Sequence, residues 1–143
     1  MSNVIDISAH LPMETATVQI KAPDGSDMGW SVTLAGPTHP KTVALNDLIA
    51  DRNLKKSRDI EASQINRKPY EPPVISPGQM RREAASDMAA RIIDWTPIQV
   101  NGEVYDVSRA AELLVLPGME FAVAQILEAI TVEKLFTRRS ASA

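Results

Sequence analysis

Residues 92–105 read Ile92-Ile93-Asp94-Trp95-Thr96-Pro97-Ile98-Gln99-Val100-Asn101-Gly102-Glu103-Val104-Tyr105, and their parsing decides the fold. Just upstream, Met80, Ala84, Met88 and Ile92 recur every fourth residue, with Ala85, Ala89 and Ile93 widening the stripe. That period predicts a helix with Ser76 as N-cap and Pro77 as first residue, closing on Asp94-Trp95 ahead of Pro97. Asn101 and Gly102 both tolerate positive φ, as a type I′ turn requires, so 98–100 and 103–105 predict a tight hairpin. In that register Ile98 faces Tyr105.

Downstream, Ser108 is expected to cap a short helix through Leu113-Leu114-Val115, with Glu112 near its start. Pro117-Gly118 breaks the chain again. A last helix carries Phe121, Ala124, Leu127 and Ile130 as its stripe, with Val123, Ile126 and Leu135-Phe136 on neighbouring faces. Residues 137–143 read as a frayed end.

Toward the N-terminus the period changes to two. Ala16, Val18 and Ile20 alternate with Thr15, Thr17, Gln19 and Lys21, and Trp30, Val32 and Leu34 alternate with Ser31, Thr33 and Ala35. Pro23-Asp24-Gly25 lies between them, so the pair predicts a β-hairpin. Gly36-Pro37 ends it, and Thr38 is expected to cap a helix with Pro40 in its first turn. Val43, Leu45, Leu48 and Ile49 give that helix a short apolar stripe, and beyond Leu54 it turns polar. It therefore docks at its front end and is solvated further along. Pro69, Pro72, Pro73 and Pro77 favour extended, stiff backbone and mark an internal seam.

The expectation is an α+β protein forming one domain over 1–143. It divides into a flexible arm at 1–14, a hairpin plus charged helix at 15–68, the proline-rich seam at 69–77, and a helical module with a second hairpin at 78–137. A chain of 143 residues buries a real core. Only 4% of it is aromatic, so that core is aliphatic. The absence of cysteine excludes disulfides and thiolate metal sites, and suits a reducing compartment. Net charge is −3, arranged as −3 over 1–50, +3 over 51–68 and −3 over 69–143. Such a balance argues against nucleic acid or an anionic membrane as partner. No apolar run reaches the ~20 residues that span a bilayer. The opening Met1-Ser2-Asn3-Val4-Ile5-Asp6 has no basic and apolar signal regions, so an intracellular chain is expected.

Chemistry-bearing patterns are sparse. His10 and His39 have no second ligand at metal spacing, and there is neither an HExxH pattern nor a glycine-rich phosphate loop. Ser108 lacks a neighbouring base. Asp94, Glu103 and Asp106 gather around the second hairpin, where solvated turn residues outweigh a paired-carboxylate site. No catalytic, cofactor-binding or metal-binding residue is assigned, and no enzyme is expected. Arg52, Lys55 and Lys56 share a helix face at i, i+3, i+4 and, with Arg58, form the candidate interface for an acidic partner. The plainer reading is a solvated face balanced by Asp51, Asp59 and Glu61. Trp30 and Trp95 are expected as core anchors, each with its indole N–H on one partner.

The order of these elements resembles tail assembly chaperones of long-tailed, non-contractile bacteriophages. The likeness spans roughly residues 15–137 and is carried by Asp94-Trp95-Thr96-Pro97-Ile98, Val100-Asn101-Gly102-Glu103-Val104-Tyr105-Asp106-Val107-Ser108, Ala110-Ala111-Glu112-Leu113-Leu114 and the helix with Phe121 and Ile126. The proline seam at 69–77 has no counterpart in that pattern. The resemblance implies a non-catalytic protein of the host cytoplasm whose partners are the tape-measure protein and the major tail protein. It implies no cofactor, no nucleic acid and no membrane, and leaves self-association open. A structural virion component (minor tail or connector protein) is the first alternative, and a small regulatory or nucleic-acid-binding protein the second.

Overall fold

Period-two alternation at the N-terminus becomes an antiparallel hairpin of β1 (Thr15–Lys21) and β2 (Asp27–Ala35) in the computed structural model, which describes residues 4–136. The expected fraying at 137–143 lies outside these residues. Pairing runs from Thr15↔Ala35 to Ile20↔Trp30, with a bulge before Lys21↔Asp27. In the turn, Gly25 supplies φ +87° while the Asp24 carboxylate accepts from the amide and hydroxyl of Ser26. Ile20, Trp30, Val32 and Leu34 are buried on one face, as the alternation requires.

A helix, α1 (Pro40–Ile65), follows. His39, not Thr38, caps it: the ring Nδ1 accepts from the Lys41 amide at 3.0 Å, and Pro40 takes the first helical position. Only Thr42 and Leu45 of its 26 residues are buried, so the helix docks at its front end as the fading stripe predicts. Its far end closes with Lys68 N–H on Ser63 O and Arg67 N–H on Gln64 O, Arg67 standing at φ 54°. That is a Schellman closure with arginine where glycine is usual.

The helix predicted to reach Trp95 stops six residues earlier. α2 (Pro77–Ala89) is capped by Ser76, as expected, but Ile92–Trp95 form β3, the third strand of the N-terminal sheet. Val32 pairs with Trp95, Thr33 with Asp94 and Leu34 with Ile92. The register leaves Ile93 as an extra residue opposite the Thr33–Leu34 step. This bulge puts Ile92 and Trp95 on the same buried face although they are three apart. A spacing of three reads as helical in sequence, whereas here the open edge of β2 and the β-forming Ile-Ile-Asp-Trp run prevail. The Ala35 amide donates to Arg91 O at 2.7 Å and the Thr96 amide to Ser31 O at 3.0 Å, closing β3 at both ends.

The end of β2 is the tightest junction. The Ala35 carbonyl accepts from Arg91 Nη2 at 2.7 Å and Nε at 3.2 Å, and from the buried Thr42 hydroxyl at 3.4 Å. At Gly36 a Cβ would lie 2.2 Å from the Met13 carbonyl, so only glycine lets the incoming segment cross there. The Gly36 amide bonds Glu14 O, and the Met13 amide bonds Phe136 O. The arm expected at 1–14 is thus pinned from Met13 onward, while residues 4–10 are exposed.

Beyond β3, β4 (Ile98–Val100) and β5 (Glu103–Tyr105) form the predicted hairpin, with Ile98 opposite Tyr105 and Asn101-Gly102 at φ 51° and 85°. Asp106, not Ser108, supplies the next cap: its carboxylate accepts from the Ser108 amide, and the Ser108 hydroxyl donates to it as well. One 3-10 turn leads into α3 (Ala110–Leu114), and Gly118 at φ +91° reverses the chain into α4 (Glu120–Thr131). α4 buries Ala122, Ile126 and Ala129, one face round from the stripe expected at 121, 124, 127 and 130. It is apolar on several faces, and its packing on β1 selects one. Gln125 fixes that choice, its amide bonding both the N–H and the C=O of Lys21 at 2.8 Å on the sheet edge.

Both halves of the chain share one core. Trp30 and Trp95 meet edge to face at 5.5 Å and 79°, surrounded by Ile20, Leu34, Ile92, Leu113, Ile126 and Phe136. The seam at 69–77 is therefore a connection across one packed unit. Trp95 Nε1 donates to Tyr105 O at 3.3 Å, whereas Trp30 Nε1 is buried with no acceptor among the described residues, contrary to the expectation of one partner for each indole. Trp95→Phe gives up that bond, an extra cost of ~0.5–1.5 kcal/mol beyond the lost volume. Trp30→Phe loses volume only. Thermal unfolding should place Trp95→Phe clearly below Trp30→Phe; equal losses would contradict the assigned hydrogen bond.

Candidate functional site

α2 and α4 present matched faces across a gap. On α2 the residues are Arg81, Ala84, Ala85 and Met88; on α4 they are Glu120, Val123, Ala124 and Leu127. Each set follows i, i+3, i+4, i+7, one side of a helix. Leu114 to Pro117, joining α3 to α4, close the base of a groove of about 530 Å³. The lining is aliphatic apart from Arg81 and Glu120, opposite charges carried on opposite walls. Ala124 and the 53%-exposed Leu127 belong to the apolar stripe predicted for the last helix, left uncovered because the neighbouring face entered the core. Such a surface gains by desolvating aliphatic side chains, at roughly 25 cal/mol per Å² covered.

The predicted basic interface is divided by the fold. Arg52 Nη1 reaches Asp87 Oδ2 at 2.8 Å, Asp87 Oδ1 at 3.1 Å and Glu83 Oε1 at 3.3 Å, tying α1 to α2. The hydrogen bond to Asp87 leads the causes that raise the guanidinium pKa. These groups are partly solvated, so the tether orients α1 more than it stabilises the chain. Lys55, Lys56 and Arg58 are exposed and make no ion pair among the described residues.

Nor do the carboxylates of the second hairpin converge. Asp94 accepts from the Trp95 amide, Asp106 is a cap, and Glu103 accepts from the Tyr105 hydroxyl at 2.9 Å. That bond is the main cause raising the Tyr105 pKa. Arg109 stacks on the Tyr105 ring at 4.3 Å, donates to Val104 O at 3.0 Å, and holds Glu112 at 2.6 Å. It staples the hairpin to α3. Sequence reading missed this staple, although the i, i+3 spacing of Arg109 and Glu112 was visible. Among the described residues, no three His, Asp or Glu side chains form a group able to hold a metal ion, and no helix is long and apolar enough to cross a membrane.

A repeated Asp-x-Ser pattern also went unread. Asp6, Asp24 and Asp106 each accept from the amide and hydroxyl of the serine two residues on. Each carboxyl is thereby held below its ordinary value of 3.8, the serine hydroxyl being the largest cause. Because the folded pKa is depressed, the cap's contribution is complete above the unfolded value and is lost as pH falls through the lower, folded one. Carboxyl NMR titration of Asp106 should give a midpoint below 3.8, and Ser108→Ala should move it upward. A midpoint indifferent to that substitution would remove the hydroxyl as cause.

Comparison of the chain with protein-family models, with curated proteins and with solved structures gives no significant match.

Proposed function

We propose that this chain is a helix-binding assembly chaperone of the phage-tail type, and that the groove between α2 and α4 receives the apolar stripe of an amphipathic helix from a tape-measure protein. One observation carries the reading: two helix faces of identical i, i+3, i+4, i+7 spacing stand across an open aliphatic gap. A third helix laid between them interdigitates its ridges with both walls, the helix-in-groove mode of recognition. Ala84, Ala85 and Ala124 admit close approach of its backbone, and Met88 adapts to side chains of different shape. Arg81 on one wall and Glu120 on the other favour a helix with acidic and basic flanks in matching order. A net charge of −3 keeps the complex dispersed.

Binding of this kind turns over no substrate. It covers the stripe through which long helical chains self-associate, and releases it when tail-tube subunits of the major tail protein assemble around the tape measure. The order of elements along residues 15–137, similar to tail assembly chaperones, gives the same reading from the sequence side. On this reading the protein acts in the host cytoplasm during assembly and is left out of the finished particle.

The test uses two variants, Ala84→Glu and Ala124→Glu, at exposed groove positions, with circular dichroism to check that each keeps the parent fold. The tape-measure protein is co-expressed with the parent chain and with each variant, and its soluble fraction is measured. The parent chain should keep it soluble, and both variants should lose most of that effect. Purified virions should lack the chain. Undiminished solubilisation by both variants, or stoichiometric presence in virions, would overturn the proposal, the latter in favour of a structural component.

A further inference from the structure

Residues 5–11 alternate: Ile5, Ile7, Ala9 and Leu11 are apolar, and Asp6, Ser8 and His10 between them are polar. Period two is the pattern of an extended segment with one side buried. The structure instead leaves Ile5 and Ile7 82% and 59% exposed. Locally the segment is shaped by one 3-10 turn, Ser8–His10, which buries no residue, and by bonds from the Ser8 amide and hydroxyl to Asp6. Those bonds are exposed and exchange for water at little cost.

We infer that this arm is a strap that closes, extended, into the groove between α2 and α4, with Ile5, Ile7 and Ala9 on the aliphatic walls. Asp6, Ser8 and His10 stay on the solvent side, so closure buries no charge. The arm is anchored at the end of the groove. Past Met88, the Arg91 amide donates to Met88 O, and the Arg91 guanidinium stands over the Phe136 ring at 5.8 Å. Past Leu127, α4 ends at Thr131 and one 3-10 turn carries the chain to Phe136. Both walls thus run on toward Phe136, whose carbonyl accepts from the Met13 amide at 2.7 Å. Reach is ample. The α2 wall from Met88 to Arg81 is ~10 Å long at ~1.5 Å per residue, and residues 4–12 span ~30 Å when extended.

Tethering selects the chain's own arm over a second copy's. A segment held by a short link meets its site at an effective concentration on the order of 1 mM. The strap and an amphipathic helix cover the same side chains, so the arm gates the groove: a client binds only the open fraction, and its apparent affinity falls by that fraction. This gating rests on the helix-binding reading of the groove, whereas the strap contact does not.

The chain has no cysteine, so Ser8→Cys places a single nitroxide on the outer side of the arm. In the full chain without client, the amides of Ala84, Met88, Val123 and Ala124 should lose most of their NMR intensity. Adding Ile5→Asp and Ile7→Asp to the labelled chain should restore it. No loss at these amides, a loss that the two aspartates leave unchanged, or a loss reproduced with nitroxide and isotope on separate chains would each overturn the strap. Gating is read separately, from the tape-measure protein kept soluble at limiting amounts of chain. There the unlabelled Ile5→Asp, Ile7→Asp chain should keep severalfold more soluble than the parent, and an equal yield overturns the gate. Ala84→Glu in the same assay tells the two failures apart: if it abolishes solubilisation, only the gate has failed, and if it does not, the helix-binding reading has failed too.

Discussion

Antiparallel pairing of Ile92–Trp95 with Val32–Leu34 is the constraint on which the rest of the molecule depends. It joins residues some sixty apart in sequence into one sheet and brings the second tryptophan against the first. It also sets the length of α2. With residues 92–95 committed to the sheet, α2 stops at Ala89, and the hairpin at 98–105 leaves from the sheet edge. Burial of Ile92 and Trp95 contributes roughly 1.5–3 kcal/mol for a side chain the size of isoleucine, and more area for the indole. No isolated three-residue strand pairing supplies that by itself.

From this anchor the groove follows. α4 is held on β1 by Ala122, Ile126 and Ala129 beneath it and by Gln125 at the Lys21 edge. α2 is held through Ala85 and through Arg91, whose guanidinium grips the end of β2. Neither helix is free to roll, so the faces they turn toward each other stay apart and remain apolar. α1 meets that scaffold through Thr42 and Leu45 in its first two turns and through the Arg52 tether to α2.

Much of this was legible in sequence, for physical reasons that can be named. The first hairpin showed itself because one face of it is buried and the other solvated, which forces alternation. The second showed itself because Asn101-Gly102 is turn chemistry with few alternatives. β3 was hidden by its bulge: a strand with an inserted residue buries positions three apart, a helix-like spacing that extends the four-residue recurrence of Met80, Ala84, Met88 and Ile92 as though all were helix. The caps at His39 and Asp106 were each displaced from a neighbouring serine or threonine, since several polar residues near a helix start compete for the same amide. Of the groove, only the α4 wall had a sequence trace, as an apolar surplus at Ala124 and Leu127. Its opposite wall became recognisable once α2 and α4 were placed side by side. The basic positions 52, 55, 56 and 58 were visible as charge, but their division between an internal tether and a solvated surface depends on where α2 lies.

Hydrogen exchange at two amides tests the central claim most directly: Ala35, which donates to Arg91 O, and Thr96, which donates to Ser31 O. If β3 is an integral strand of one core, both exchange only through global unfolding, in step with the buried turns of α4 around Ile126. If instead these two amides exchange early while α4 and the first hairpin stay protected, residues 92–95 are not part of the sheet, and the account fails.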